Sequence, residues 1–300
     1  MNPRISFDAR SMLCVPADAS RFFMKAADRG ADLIVLDLED GVAFAAKAAA
    51  RAALAAAVPA LMARGATIYV RVNNDPALLQ QDLRHAVQSG AAGVVVPKLE
   101  SAAEVLALDE ALGLEERSAS RLSGEVRVIG LVETPVGVCR AFEIAQASRR
   151  FVSLGLGSED FATAMGMEPT MQSLSGPAQS VAIAAVAAGL HPIGLPGPVG
   201  NFTDTRVYRE LVQHARALGI RGAICIHPAQ VGVLNEVMSG TKEEVAAAAR
   251  IVAAFDAALA KGQGSIAVDG HMIDAPIANR SRILLARARV PASPLDIRPA

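Results

Sequence analysis

The chain has 300 residues, 52% of them hydrophobic and 20% charged, which excludes a disordered protein and allows one large domain or two modest ones. A net charge of −1 leaves no general affinity for nucleic acid or anionic lipid, and two Tyr with no Trp leave no base-stacking platform. In chain order, eight short apolar runs read as strands: Ser11–Val15, Leu33–Asp37, Thr67–Val72, Gly93–Pro97, Val126–Val132, Phe151–Leu156, a weak Leu190–Leu195, and Gly222–Ile226. Between them lie amphipathic, Ala-rich stretches that read as helices, among them Ser20–Arg29, Ala43–Arg64, Ala77–Ser89 and Ala102–Leu112. Glycine follows several of them, as in "DRGADL" and "ARGATI".

Strict alternation of strand and helix predicts parallel strands with right-handed crossovers, and eight such units predict a closed (β/α)8 TIM barrel of the α/β class. The near-continuous apolar strands agree, because barrel strands are covered on both faces. The barrel is expected over residues 1–240. Residues 241–300 are expected to form a C-terminal helical extension and lid: a helix pair over Thr241–Lys261, the segment "GQGSIAVDGHMIDAP" and a final basic helix. Three scattered cysteines, Cys14, Cys139 and Cys225, fit reduced thiols better than a disulfide framework. The N-terminus lacks a signal peptide's apolar core, and the apolar stretches read as too short to span a bilayer, so a cytoplasmic location is expected.

Three strands end in acid. Asp37, Glu39 and Asp40 follow the second, Glu133 ends the fifth, and Glu159 and Asp160 follow the sixth. Arg71 ends the third strand, Lys98 and Glu100 follow the fourth, and His227 ends the eighth. Barrel enzymes carry their chemistry on this rim. Carboxylates gathered there repel one another unless a cation sits among them, and oxygen ligands suit Mg2+ or Mn2+. Glu133 and Asp160 are the expected metal pair, and Arg71 offers a planar fork to a substrate carboxylate. Asp37 reads as a strand-end residue bonded to loop amides. Glu39 and Asp40 read equally as helix N-caps or as supports of the site. His227, before Pro228, reads as a loop anchor. "GLGSED" lacks the third glycine of a dinucleotide fingerprint.

The stretch "RSMLCVPADASRFFMKAADRGADLIVLDLEDGVAFAAKAAAR", followed in order by "VRVN", "VPKLE", "LVETPVGV", "LGSEDF", "ICIHPAQV" and "DGHMIDAP", resembles the citrate lyase β-subunit-like proteins of the HpcH/HpaI aldolase and citrate lyase superfamily. The resemblance runs from Ser11 to Arg289. It implies a (β/α)8 barrel assembled as trimers or hexamers, and Mg2+-dependent cleavage or formation of a C–C bond beside an acyl thioester, as in citryl-, malyl- and citramalyl-CoA lyases. By motif, Glu133 and Asp160 resemble the metal ligands, and Arg71 resembles the carboxylate-binding arginine. Glu39 and Asp40 resemble acids that hold metal-bound waters. Asp274 resembles a lid aspartate that serves as acid/base in a neighbouring subunit's site.

Two positions depart from the pattern: Ala17 stands where "VPG" is usual, and Gly194 where an aspartate is common. The resemblance as a whole implies an acyl-CoA and a keto acid as small-molecule partners, and these two departures bear on the CoA and substrate positions. The rival readings are a CoA-independent class II pyruvate aldolase and a non-catalytic subunit of a lyase complex. Arg21 and Lys25 read as a solvated helix face.

Overall fold

The computed structural model describes residues 7–200 and 202–288. The ends of both expected domains, and Asn201, lie outside the described residues. Contacts divide the chain into two compact units, with the boundary between Asn235 and Glu236.

The first unit is a parallel barrel. Its strands are β1 (Ser11–Pro16), β2 (Leu33–Asp37), β3 (Ile68–Arg71), β4 (Gly93–Val96), β5 (Arg127–Val132), β6 (Phe151–Leu156), β7 (His191–Ile193) and β8 (Ala223–Cys225). They are hydrogen-bonded in the order β7-β6-β5-β4-β3-β2-β1-β8. The remaining seam is drawn together by a bridge between Ile193 and Gly222, with Arg221 N–H donating to the Pro192 carbonyl at 2.9 Å and Gly194 N–H to the Gly222 carbonyl at 3.0 Å. All eight expected strands are present. The weak seventh is the shortest kind, three residues, as is the eighth where the ring closes.

Helices cover the barrel. The expected helix Ala43–Arg64 opens instead with a 3-10 turn, Phe44–Ala46, before the α-helix Lys47–Met62. Neither Ala43 nor Ala46 offers a capping side chain, so a tighter first turn takes up the free amides. The expected Ala102–Leu112 helix runs on to Ser118. The segment Phe44–Met62 also corrects the membrane reading, being long and apolar enough to cross a bilayer. Its buried face carries Lys47 and Arg51 beside Leu54, Val58 and Leu61, a pattern that serves as a barrel helix.

The second unit holds the helices Lys242–Leu259 and Ala275–Ala288, which pack together, and a hairpin of β9 (Ile266–Val268) and β10 (His271–Ile273). The helix pair expected over Thr241–Lys261 is one continuous helix, because no Gly or Pro interrupts it before Gly262. A capping box of Thr241 and Glu244 starts it. The hairpin turns at Asp269-Gly270, both at positive φ (48° and 78°), the backbone of a two-residue turn. Phe255, Ile273 and Ala278 form this unit's small core.

Inside the barrel, Met12, Leu33, Val35, Tyr69, Val95, Ile129 and Leu131 share one buried cluster. Successive strand residues face opposite sides, so every second residue on β2, β3 and β5 points inward. Continuing that parity toward the C-terminal ends reaches Asp37, Arg71 and Glu133. The strands that fill the core therefore deliver these charged groups into its mouth.

Tyr69 is the largest of the fully buried side chains and lies in register with Gly93. A Cβ at Gly93 would fall 2.2 Å from the Tyr69 ring and 2.5 Å from the Arg127 carbonyl. Gly93→Ala should destabilise the barrel by about 2–3 kcal/mol, as overpacking against backbone does. Urea unfolding checks this, and an unchanged midpoint would contradict the packing described.

Candidate active site

The site begins with strand register. Asp37 and Arg71 are Cα partners on β2 and β3. Side by side in the mouth, they form a bidentate pair, Arg71 Nε donating to Asp37 Oδ1 and Nη2 to Oδ2, both at 2.7 Å. Asp37 also accepts the amides of Glu39 at 2.9 Å and Gly41 at 3.0 Å, which folds the loop back over it. Gly41 is needed there, since a Cβ would lie 2.4 Å from Asp37 Oδ2. The fork expected to receive a substrate carboxylate is thus engaged by Asp37. The remaining Nη1 stands 3.3 Å from Glu39 Oε2. Burial alone would lower the Arg71 pKa, but its bonds to Asp37 and the field of neighbouring groups hold it above the ordinary value.

Glu39 and Asp40 cap no helix, which removes one of the two readings open from the sequence. Their loop is held from behind by buried groups. Lys47 Nζ donates to the Leu38 and Glu39 carbonyls and to Asn73 Oδ1, each at 2.8 Å. Asn73 in turn donates to the Leu38 carbonyl at 2.9 Å and is anchored by Asp82, which pairs with Arg51 at 2.9 Å. With its backbone pinned, Glu39 presents its carboxylate to the mouth while remaining buried, 5% exposed.

Across the mouth, Glu133 follows β5. Gly157, the residue after β6, stands beside it, and a Cβ there would meet Glu133 Oε1 at 2.4 Å. Glu133 is 4% exposed, and its carboxylate accepts the Lys98 backbone amide at 3.0 Å. Burial pushes its pKa up to about 8, reinforced by Asp160 and Glu39 and opposed by Lys98 and Arg71. Asp160 lies in the first turn of the helix Ser158–Met165, half-exposed.

Lys98 ties these acids together. Its ammonium lies 2.6 Å from Glu39 Oε1, 3.3 Å from Asp40 Oδ2 and 3.8 Å from Asp160 Oδ1. Burial would lower its pKa, but the bond to Glu39 and the fields of Glu39, Asp40 and Asp160 raise it above the ordinary lysine value. The structure therefore gathers Arg71, Glu39, Asp40, Glu133 and Asp160 at one mouth, with Lys98 among them. Glu159 is exposed outside it, and Glu100 is engaged in its own loop through Glu104. His227 anchors its loop, its Nδ1 accepting the Ala229 amide at 3.2 Å while its ring stacks on Phe202. Asp274 belongs to the second unit, where its Oδ1 accepts the Ile277 amide at 3.3 Å at the start of a helix.

Among the described residues, no group of three or more His, Cys, Asp and Glu side chains forms a protein-only metal cage. Two hard carboxylates fit a different demand. Mg2+ keeps most of its waters and takes one or two carboxylates. A buried Glu133 held off its charged form by Asp160 and Glu39 is a group that a dication would satisfy.

A family model described as HpcH/HpaI aldolase/citrate lyase matches residues 10–228. The chain belongs to the HpcH/HpaI aldolase/citrate lyase family. Within it, the citrate lyase subunit beta of Escherichia coli (strain K12) is 32% identical over 284 residues, covering 94% of this chain and 93% of that protein. The L-malyl-CoA/beta-methylmalyl-CoA lyase of Cereibacter sphaeroides (strain ATCC 17029 / ATH 2.4.9) is 32% identical over 307 residues, covering 94% and 95%. Among solved structures, the CitE protein of Mycobacterium tuberculosis, in complex with magnesium, acetoacetate and coenzyme A, superposes with a TM-score of 0.74. It is 30% identical and covers 94% of this chain and 98% of that one. Of the motifs that resemble this family, "DLED", "VRVN", "VPKLE", "LVETPVGV" and "LGSEDF" carry the residues gathered at the barrel mouth, whereas "DGHMIDAP" lies in the second unit.

The raised Glu133 pKa fixes a pH dependence for this family member without metal. A carboxyl whose folded pKa exceeds its unfolded value stabilises the fold below the unfolded pKa, and that stability is lost as pH rises through the folded pKa. In EDTA the wild type should therefore lose stability between roughly pH 4.5 and pH 8. Glu133→Gln should not share the loss, so it becomes the more stable protein by about 1–3 kcal/mol at pH 8 and matches the wild type near pH 5. Thermal melts across that range test this, and parallel curves for the two proteins would contradict it.

Proposed function

We propose that this family member is a magnesium-dependent carbon–carbon lyase that cleaves or forms a short 3-hydroxyacyl-CoA dicarboxylate of the malyl-, citramalyl- or citryl-CoA type. The observation that carries the reading is Glu133, a buried carboxylate beside Asp160 and Glu39 on the C-terminal rim of the barrel. In this reading Glu133 and Asp160 are the metal ligands, and Glu39 and Asp40 orient metal-bound waters. The relatives agree in chemistry: one is a malyl-CoA lyase, and another was solved with magnesium and coenzyme A. When bound, Mg2+ (or Mn2+) supplies Lewis acidity toward the carboxylate and carbonyl oxygens of a keto acid.

In the cleavage direction, the substrate's hydroxyl gives up its proton and becomes the carbonyl of the keto acid. The bond from that carbon to the thioester α-carbon breaks. Its electron pair passes to the thioester as an enolate, which then takes a proton at the α-carbon. Arg71, oriented by Asp37, meets the keto-acid carboxylate through Nη1, which Asp37 does not bond and which here stands 3.3 Å from Glu39 Oε2. Asp274 supplies the proton transfer from a lid over a neighbouring subunit's site in a homotrimer or hexamer.

A cleft of about 370 Å3 beside the rim supports the thioester over a free keto acid. Leu13, Val15 and Phe22 give it apolar walls, and Lys25, Arg29 and His227 line it with cationic or polar groups. That combination suits a pantetheine arm and its phosphates. Lys25, exposed like Arg21, lines this cleft, and Arg21 does not. A cytoplasmic location is part of the proposal.

The test is incubation with Mg2+ and a panel of malyl-, citramalyl- and citryl-CoA, with detection of the released keto acid. Release from at least one should require the metal and fall about a hundredfold or more in Glu133→Gln. Asp274→Asn, which keeps the helix cap, should fall by a similar factor while binding Mg2+ normally. Metal-independent release, or full turnover by Glu133→Gln, would overturn the reading.

A further inference from the structure

Lys98 stands one residue beyond Pro97 and two beyond the end of β4, with φ at +55°. An L-residue is strained there, and Gly or Asn would take that backbone more readily. The conformation is pinned from both sides: Asn74 Nδ2 donates to the Lys98 carbonyl at 3.1 Å, and the Leu99 amide donates to the Leu131 carbonyl at 3.1 Å. The strained turn has two results. It aims the Lys98 amide at Glu133 Oε2, and it sends the side chain across the mouth to Glu39, Asp40 and Asp160. One residue thus contacts four of the five acids gathered there, all but Asp37.

The charges around it explain why a lysine is placed at a strained position. Asp37, Glu39 and Asp40 enter from the loop after β2, Glu133 from β5 and Asp160 from the helix after β6. Arg71 enters from β3 but is held by Asp37 through Nε and Nη2, and its Nη1 stands 3.3 Å from Glu39 Oε2. The ammonium of Lys98 is left facing Glu39, Asp40 and Asp160. A monocation here does in the metal-free protein what a dication would do in the loaded one. The two compete, because a positive charge 3.8 Å from Asp160 Oδ1 opposes any cation that Asp160 ligates.

We infer that Lys98 is a built-in counter-ion: its ammonium holds Glu39, Asp40 and Asp160 together without metal, yields Asp160 when a divalent cation binds, and so sets the affinity for that cation. The inference rests on the reading of Glu133 and Asp160 as metal ligands. Lys98 is a positioning residue in this account. Its backbone amide, unlike its ammonium, serves Glu133 whether or not the ion is present.

The experiment uses the full chain, with Lys98→Met, which keeps the length and the backbone amide, and Lys98→Arg, which keeps the charge. Lys98→Gln repeats the neutralisation with a second side chain should the Met variant not fold. Calorimetry with Mg2+ alone, and thermal melts in EDTA and in saturating Mg2+, are the readouts. Neutral variants should bind Mg2+ about fivefold or more tightly than the wild type. They should melt lower than the wild type in EDTA and close to it in Mg2+, while Lys98→Arg follows the wild type throughout. Unchanged or weaker Mg2+ binding by the neutral variants overturns the inference. An equal loss of melting temperature with and without Mg2+ also overturns it, since that marks a lysine needed only for folding. A wild type that takes up no Mg2+ at millimolar concentration removes the metal-ligand reading itself and the inference with it. Binding by the wild type with no change in the neutral variants removes the Lys98 inference alone.

Discussion

The two-residue period of a barrel strand governs this site. Leu33 and Val35 on β2, and Ile129 and Leu131 on β5, fill the interior because their parity points inward. Asp37 and Glu133 inherit the same parity one step further on. A side chain there has nowhere to go except the barrel mouth. Concentrating acid in one place therefore needs no special loop geometry. It needs a strand that runs one inward residue too far with a carboxylate at the end.

That economy creates an electrostatic cost, and much of the surrounding structure answers it. Carboxylates such as Glu39 and Glu133 lose water on burial and repel one another. The structure offsets this with directed donors: Arg71 on Asp37, the Lys98 amide on Glu133, and the Lys98 ammonium on Glu39. Behind them, Lys47, Asn73, Asp82 and Arg51 form a buried network whose job is to hold the carbonyls of Leu38 and Glu39 in place. Such networks are costly if half satisfied and stiff when complete. Glycines at 41 and 157 mark where the carboxylates need space, since any side chain would collide with Asp37 or Glu133.

The barrel and its charged rim were legible because both rest on local pattern. Apolar runs mark β1 to β8, several of them preceded by glycine, and an acid ending a run marks the mouth. What stayed hidden depends on pairing across the chain. Asp37 and Arg71 are 34 residues apart, and only strand register shows that the arginine fork is already engaged. The Lys47 and Asn73 partnership spans 26 residues and looks in the sequence like a helix surface lysine and a loop asparagine. Lys98 carried no signal beyond its place after β4, because its value lies in a positive φ that no lysine advertises. The hairpin at Ile266–Ile273 does have a signal, Asp-Gly between the triplets Ile-Ala-Val and His-Met-Ile, but the glycines around it also fit an irregular lid segment. The helix pair expected just before it failed for the opposite reason, an unbroken Ala-rich run that had no cause to stop.

The central claim is that Glu133 and Asp160 share one divalent cation at the barrel mouth. Crystals grown from the metal-free protein and soaked in Mn2+ would locate it through anomalous scattering. The account predicts a single strong peak within about 2.0–2.3 Å of a carboxylate oxygen of both residues, with the Lys98 ammonium drawn away from Asp160. A peak elsewhere, or a mouth that stays empty at saturating Mn2+ while Lys98 keeps its contacts, would contradict it.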